Sequence, residues 1–330
     1  MRIAIDAMGG DYAPRQIVEG VAEAVKKNGS HVSYLLVGDE ERVRRETERC
    51  GLNGNGAVEF VHASQVIEMD EALSSLKAKP DSSIAKAVAV VKEKRADALV
   101  ALGNTGTAVA ATQLGWRLLP GIKRAGIAVP MPSESGVTVI IDVGANIMAK
   151  PTHMVSYAVM ASVYSQVVFR KENPRVGLVN VGEEISKGNR WLKKVFSLLS
   201  EAPINFIGNV EGADAVSGKC DVAVCNGFVG NVMLKVVEGT ASFMSKMIRE
   251  QMAKDALRQL GGFLCKEAFR AVSSKCDYST YGGAPLLGVN GVCIIGHGKS
   301  TTKAIVNALR VAAEDVAGHV NQQIVALVGG

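Results

Sequence analysis

Aromatic residues are scarce. Phe, Trp and Tyr make up 5% of the 330 residues, which disfavours the base-stacking platforms that single-stranded nucleic acid needs. Charge of one sign is not concentrated either. Lys and Arg number 37 against 32 Asp and Glu, a balance of +5, too mild to imply a nucleic-acid partner and better suited to an enzyme handling an acidic partner or substrate. The six cysteines (Cys50, Cys220, Cys225, Cys265, Cys276, Cys293) include no C-x-x-C pair. Cys220 and Cys225 have no third ligand nearby, so no metal is expected. Several sit in apolar runs, where Cys behaves as a small hydrophobe. With no signal-peptide pattern, the expectation is reduced thiols in a cytosol. Ala98 to Trp116 is uncharged and long enough to span a bilayer, but the Gly103-Asn-Thr-Gly106 centre argues against it. The first strand is followed by no G-x-G-x-x-G, and no G-x-S-x-G occurs, which disfavours a dinucleotide site and a serine-hydrolase elbow. Gly291-x4-Gly296-His-Gly298-Lys299-Ser300 imitates a phosphate-binding P-loop, yet the register fails because position 293 is Cys.

What is present is a recurrent join. Six runs of β-branched and aliphatic residues each stop at a loop of Gly, Asn and acidic residues: Ile3–Asp6, Ala98–Leu102, Val137–Ile141, Val176–Val179, Asp221–Val224 and Val292–Ile295. Such runs read as strands buried on both faces of a parallel sheet, with ligands bound at their carboxyl ends. Helical periodicity follows most of them: Pro14 to Lys27, Glu40 to Cys50, Ser83 to Lys94, Met154 to Phe169 and Thr302 to Ala317. The Met154 segment is nearly uncharged and is expected inside the molecule or against another subunit. This alternation predicts a three-layer α/β/α sandwich. No Pro- or Gly-rich linker divides it, so residues 1–330 read as one α/β domain.

From Val236 to Cys276 the pattern is helical throughout, with a break expected near Gly261-Gly262. Between Phe243 and Lys275 seven basic residues face three acidic ones. The segment predicts a protruding helical pair, packed on a second subunit or meeting an anionic membrane surface through its Met- and Phe-rich tip.

Among individual residues, His297 is the only histidine on a strand-end loop; His31, His62, His153 and His319 read as surface or structural. Lys187, in Glu183-Glu184-Ile-Ser-Lys187-Gly188-Asn189, reads either as a solvated charge run or as a phosphate-binding lysine near a helix N-terminus. Lys235 either faces the same cleft or simply begins the long helix. Cys225 has no adjacent base and reads as buried.

Taken together the strand-end loops resemble the bacterial phosphate acyltransferase family of phospholipid synthesis. The matching stretches are Asp6-Ala-Met-Gly-Gly-Asp11, Gly103-Asn-Thr-Gly106, Asp142-Val-Gly-Ala-Asn146, Asn180-Val-Gly-Glu-Glu184 with Lys187-Gly-Asn189, Phe206–Glu211, Gly227-Phe-Val-Gly-Asn231 with Leu234-Lys235, and Tyr281–Gly288 followed by His297-Gly298. One position departs from the family: Asn226 stands where Asp is usual before the Gly-Phe pair. The resemblance implies a fold like the isocitrate and isopropylmalate dehydrogenases and the phosphotransacetylases. It also implies a homodimer, cytoplasmic and peripherally associated with the inner face of the cell membrane. The implied reaction joins inorganic phosphate to the acyl group of long-chain acyl-acyl-carrier protein. It gives acyl phosphate for a downstream glycerol-3-phosphate acyltransferase, without cofactor, metal or covalent intermediate. On that reading Asp6, Gly9, Gly10, Asn104, Thr105 and Gly106 build binding loops whose N–H groups meet phosphate or carbonyl. Lys187 neutralises phosphate beside Glu183 and Asn189; Asn146, Asn180 and Asn231 orient the thioester; Asn226 and Lys235 line the site; and His297 protonates the departing thiolate. The alternatives are a short-chain transferase using coenzyme A thioesters and a non-catalytic phosphate or lipid binder, with a dehydrogenase third.

Overall fold

The computed structural model describes all residues except 29, 30, 53, 55, 277–281 and 330. Tyr281, at the head of one matched stretch, lies outside the described residues. The chain opens with β1 (Arg2–Asp6), α1 (Arg15–Asn28), β2 (Ser33–Gly38), α2 (Glu40–Arg49), β3 (Val58–His62), α3 (Ser75–Ala78), α4 (Ser83–Lys92), β4 (Ala98–Ala101) and α5 (Thr105–Trp116). A hairpin of β5 (Gly126–Ser133) and β6 (Gly136–Ile141) leads to α6 (Pro151–Phe169), β7 (Val176–Val179), α7 (Arg190–Ser200), β8 (Phe206–Val210), α8 (Asp214–Ser217) and β9 (Val222–Val224). Then come α9 (Gly227–Met252), α10 (Ala256–Leu264), α11 (Lys266–Cys276), β10 (Ala284–Leu287), β11 (Val292–Ile295), α12 (Thr302–Ala317) and α13 (Val320–Gly329).

One sheet runs through all of it, in the order β3-β2-β1-β4-β11-β10-β5-β6-β9-β7-β8. The expectation of a parallel sheet is met only within two blocks. β3, β2, β1, β4 and β11 run parallel, and so do β6, β9, β7 and β8. Between the blocks, β11–β10, β10–β5 and β5–β6 are all antiparallel, so the blocks point in opposite directions. All three of these pairings involve a strand that does not read as one. β5 carries Pro130 and Pro132, and β10 carries Pro285. β10 is also a thin seam: Ala284 and Pro285 pair with β11, whereas Leu286 and Leu287 pair with β5. Beyond Ile127, β5 pairs with β6 alone among the described strands, and the sheet parts there.

Strands buried on both faces explain the uninterrupted apolar runs. All four residues of β4 and the last four of β1 are buried, each large aliphatic contributing on the order of 1.5–3 kcal/mol. α1 and α12 pack on one block, with Gly20 allowing close approach: a Cβ there would lie 2.5 Å from Ile305 Cγ2. α6, the nearly uncharged helix, lies inside, with Met154, Tyr157, Met160 and Tyr164 fully buried.

The helical excursion differs in two respects from its expected form. α9 begins nine residues before Val236, at Gly227, and the segment is three helices rather than a pair, with breaks at Ala253–Asp255 and at Cys265, the second three residues beyond the expected Gly261-Gly262. Asp255 supplies the reason for the first break, since its side chain accepts the Arg258 N–H at 2.9 Å and starts a new helix. Gly261 and Gly262 lie inside α10. A Cβ on Gly262 would meet Met252 Cβ at 3.4 Å, an ordinary van der Waals contact, where α10 folds back on α9.

Candidate active site

Where the sheet parts, a cleft of about 770 Å³ opens between the two blocks. One wall comes from the carboxyl ends of β4 and β11 and from the helices that follow them, with Thr105, His297, Lys299, Ser300, Thr301 and Lys303. The other comes from β5, the end of β6 and the start of α9, with Ile127, Val129, Pro130, Val143, Gly144, Asn231, Leu234, Lys235 and Glu238. The first wall is cationic and hydroxyl-bearing. The second is mostly apolar.

Sequence accounts for the first wall locally. Asn104 caps α5, its Oδ1 accepting the Thr107 N–H at 3.0 Å while its Nδ2 donates to the Met69 carbonyl at 2.7 Å. Thr301 caps α12, its Oγ1 accepting the Ala304 N–H at 3.3 Å. Two helix N-termini therefore end in the cleft, each equivalent to roughly half a positive charge, and both favour an anion. His297 is exposed on the loop between β11 and α12. Its Nδ1 accepts the Lys299 N–H at 3.1 Å, so in the neutral ring the proton sits on Nε2, where it can be offered in a hydrogen bond.

Gly9 and Gly10 stand behind this wall. The Asp11 N–H donates to the Gly298 carbonyl at 2.9 Å, which ties the loop after β1 to the loop after β11. A Cβ on Gly10, whose φ is +103°, would fall 2.9 Å from that carbonyl, and one on Gly9 would fall 2.8 Å from Gly103 N. The glycines are required by close packing of three loops. Asp6 is buried beneath them and accepts the Met8 N–H at 3.2 Å. Burial pushes its carboxyl above the usual range, partly offset by hydrogen bonds from Ser83, Met8 and Gly9.

The second wall hangs on Asp142. This fully buried carboxyl takes N–H groups from Ile127 (3.0 Å), Gly144 (3.2 Å), Ala145 (2.9 Å) and Asn146 (2.7 Å). Asn146 turns its amide inward: Nδ2 donates to the Ala125 carbonyl and the Tyr157 hydroxyl, both at 2.7 Å, and Oδ1 accepts from Arg124. Asn226 caps α9, accepting the Val229 N–H at 2.9 Å. Aspartate would cap the same turn equally well, so the departure from the family's residue leaves the local fold intact. On α9, Asn231, Leu234, Lys235 and Glu238 face the cleft at helical spacing, with Lys235 Nζ and Glu238 Oε2 paired at 2.9 Å. Cys225 lies under this wall with Sγ 3.6 Å from the Asp142 carbonyl; burial drives its thiol far up and deprives it of thiolate character.

The loop after β7 forms a third group, outside the cleft lining. Asn180 accepts the Val181 N–H at 2.8 Å, Asn189 caps α7 through the Leu192 N–H at 2.9 Å, and Glu183 pairs with Lys219 at 2.6 Å. Lys187 is exposed there. β7 lies two strands from β6, which puts this loop roughly 10 Å along the same sheet edge from the Asp142 turn.

The structure thus brings Thr105, Asn231, Lys235 and His297 together. It places Asp6, Gly9 and Gly10 behind them and commits Asn104, Asn146, Asn180, Asn189 and Asn226 to caps and turns. Residues that sequence reasoning passed over, namely Lys299, Ser300, Lys303, Gly144 and Glu238, line the cleft. A signal existed for the first two: a glycine-lysine-hydroxyl run opening a helix suits an anion whatever its P-loop register. No group of three or more His, Cys, Asp and Glu suited to a metal occurs among the described residues.

The fatty acid synthesis protein family model matches residues 1–323. The chain is 47% identical over 325 residues to a phosphate acyltransferase of Pelotomaculum thermopropionicum, covering 98% of this chain and 94% of that protein. Among solved structures it superposes on a phosphotransacetylase from Streptococcus pyogenes, with a TM-score of 0.65, 17% identity, and 96% and 94% of the two chains covered. A 4-hydroxythreonine-4-phosphate dehydrogenase from Klebsiella pneumoniae matches with a TM-score of 0.51 at 13% identity, covering 96% and 98%. At these identities the structural matches speak for the fold alone.

Proposed function

This chain belongs to the phosphate acyltransferase family and is an acyltransferase; we propose that it transfers a long-chain acyl group from acyl-carrier protein to inorganic phosphate. The observation that carries this reading is the division of the cleft. A wall with two helix N-termini and lysines suits phosphate, and the facing wall of Ile127, Val129, Val143 and Leu234 suits an acyl chain. The chemistry then needs little from side chains. A phosphate oxygen attacks the thioester carbonyl, the C–S bond breaks, and the departing thiolate takes its proton from the doubly protonated ring of His297 or from water. Holding the two reactants in attack geometry removes roughly 7–11 kcal/mol of barrier. Lys299, Ser300 and Lys303 hold the phosphate, Thr105 and Asn231 orient the thioester, and no cofactor enters.

Incubating the purified chain with palmitoyl-acyl-carrier protein and phosphate should yield acyl phosphate; acetyl- or butyryl-coenzyme A as the only productive donor would favour the short-chain transferase reading. Phosphate retained without any thioester cleavage would instead mark a binding protein. Lys299→Ala should raise the KM for phosphate about 10–100-fold, the loss of one charged hydrogen bond. Lys187→Ala tested beside it decides between the two lysines: a phosphate KM that moves only with Lys187 would place the subsite on the β7–α7 loop.

The excursion α9–α11 supports peripheral membrane association and a homodimer. Leu257, Leu260, Phe263 and Leu264 form one stripe of α10, each more than half exposed, and no described helix is long and apolar enough to cross a membrane. A sixteen-carbon product resists release into water by on the order of 10 kcal/mol, so delivery at the inner face of the cell membrane, to a glycerol-3-phosphate acyltransferase there, serves the reaction. Replacing Phe263 and Leu264 together by Glu is expected to abolish co-sedimentation with anionic liposomes while sparing turnover of soluble carrier substrate. Undiminished sedimentation would reduce the segment to a contact between subunits.

A further inference from the structure

We propose that Asp142 is a positioning residue for the transfer reaction, fixing the acyl-donor wall of the cleft while leaving the phosphate wall untouched; this rests on the two-wall reading above. The side chain is fully buried and does not line the cleft, so it acts through what it holds. A carboxylate offers about four acceptor sites, and here four backbone N–H groups converge on them. Oδ1 takes Ile127 of β5, Gly144 and Ala145, and Oδ2 takes Asn146. One group thereby ties β5 to the whole turn after β6.

α9 is seated on the same point. A Cβ on Gly227 would lie 2.9 Å from Asp142 Oδ2, and one on Gly230 would lie 2.0 Å from the Asp142 carbonyl oxygen. The next residue, Asn231, faces Gly144 across 4.0 Å, measured from its Cβ to the ideal Cβ position of the glycine. Asp142 therefore sets the mutual placement of Ile127, Gly144, Asn231 and, one turn on, Leu234, all of which line the cleft. Lys299, Ser300 and Thr301 come from the opposite block of the sheet and share none of its hydrogen bonds. A shift in the Asp142 turn should move the thioester and not the phosphate.

The test is steady-state kinetics of Asp142→Asn on acyl-acyl-carrier protein and phosphate, with thermal unfolding measured alongside. Asparagine keeps an oxygen for Ile127, Gly144 and Ala145 but opposes its NH₂ to the Asn146 N–H. Turnover should fall about 10²-fold, as expected for a displacement near 1 Å. The KM for the acyl donor should rise and the KM for phosphate should stay at the wild-type value. Gly144→Ala provides a second route should Asp142→Asn fail to fold: its φ of +140° is strained for alanine, and the turn must move with Asp142 still in place. The same split of the two KM values is expected. Folded variants with wild-type turnover, or with both KM values raised in parallel, would overturn the proposal. Wild-type protein that forms no acyl phosphate would instead overturn the functional reading beneath it.

Discussion

Gly230→Ala should destabilise the fold by more than about 3 kcal/mol, although alanine is the better helix former by about 1 kcal/mol. The added Cβ would sit 2.0 Å from the Asp142 carbonyl oxygen and 2.9 Å from Cys225 Sγ. Neither neighbour can withdraw easily. The Asp142 N–H donates to the Cys225 carbonyl at 3.1 Å, and the Asp142 side chain is locked by its four N–H partners. Overpacking costs about 1–3 kcal/mol where side chains can rearrange. Here the clash is with backbone, so α9 must lift as a body from the end of β6. The natural control is Gly239→Ala in the same helix, where a Cβ meets nothing within 4 Å and propensity alone should stabilise by up to about 1 kcal/mol. Urea midpoints of the two variants should move in opposite directions. Equal shifts would mean that α9 is not seated on the β6 turn, and the account of the second wall would fall with it.

Asp315→Asn should stabilise the protein above neutral pH and leave it nearly unchanged in acid. Asp315 lies on α12, is 5% exposed, and has an Oδ1 without a hydrogen-bond partner among the described residues. Burial pushes its carboxyl up from 3.8 to about 7. The unfolded chain ionises from about pH 4, whereas the folded one keeps its proton until about pH 7. Stability is therefore intact below the unfolded value and is lost progressively as pH rises between the two. Above 7 the loss is complete and amounts to about 4 kcal/mol as an upper bound, taking 1.36 kcal/mol per pH unit. Asparagine has no charge to desolvate, so the variant's unfolding free energy should not share this slope. Denaturant titrations at pH 5 and pH 8 read the difference directly. Parallel pH profiles for wild type and variant would show that Asp315 is ionised and solvated in the fold.

Most of the scaffold can be read from the chain because buried strands declare themselves. Ala98–Ala101 and Ile3–Ile5 are apolar without alternation, and the helices between them carry a 3.6-residue period. The centre of the sheet is another matter. β5 has two prolines and β10 has Pro285 among its four residues, yet their antiparallel pairing reverses one block and creates the cleft. That reversal is a tertiary fact with no local signature.

Within the site the same residue types proved ambiguous for a physical reason. An Asn or Gly at a strand end is equally suited to offer N–H groups to a ligand and to finish the loop itself. Asn104, Asn189 and Asn226 each accept from the backbone three residues on, which spends the side-chain oxygen on a helix cap. Gly9, Gly10, Gly227 and Gly230 let backbones touch. Only partners across the fold, such as Gly298 for Gly10 or Asp142 for Gly230, separate these roles, and none of them is near in sequence.

The parting of the sheet carries a hazard of its own. A strand stripped of one neighbour exposes a row of unused backbone groups, the surface on which foreign chains add and aggregates grow. In β5 the Ile127 N–H and carbonyl both turn toward the β6 side, to Asp142 and Val143. By alternation Pro130 and Pro132 turn theirs the other way, toward the gap, and proline brings no N–H to offer there. The stretch that leaves room for a substrate is thus one onto which an intruding strand cannot zip.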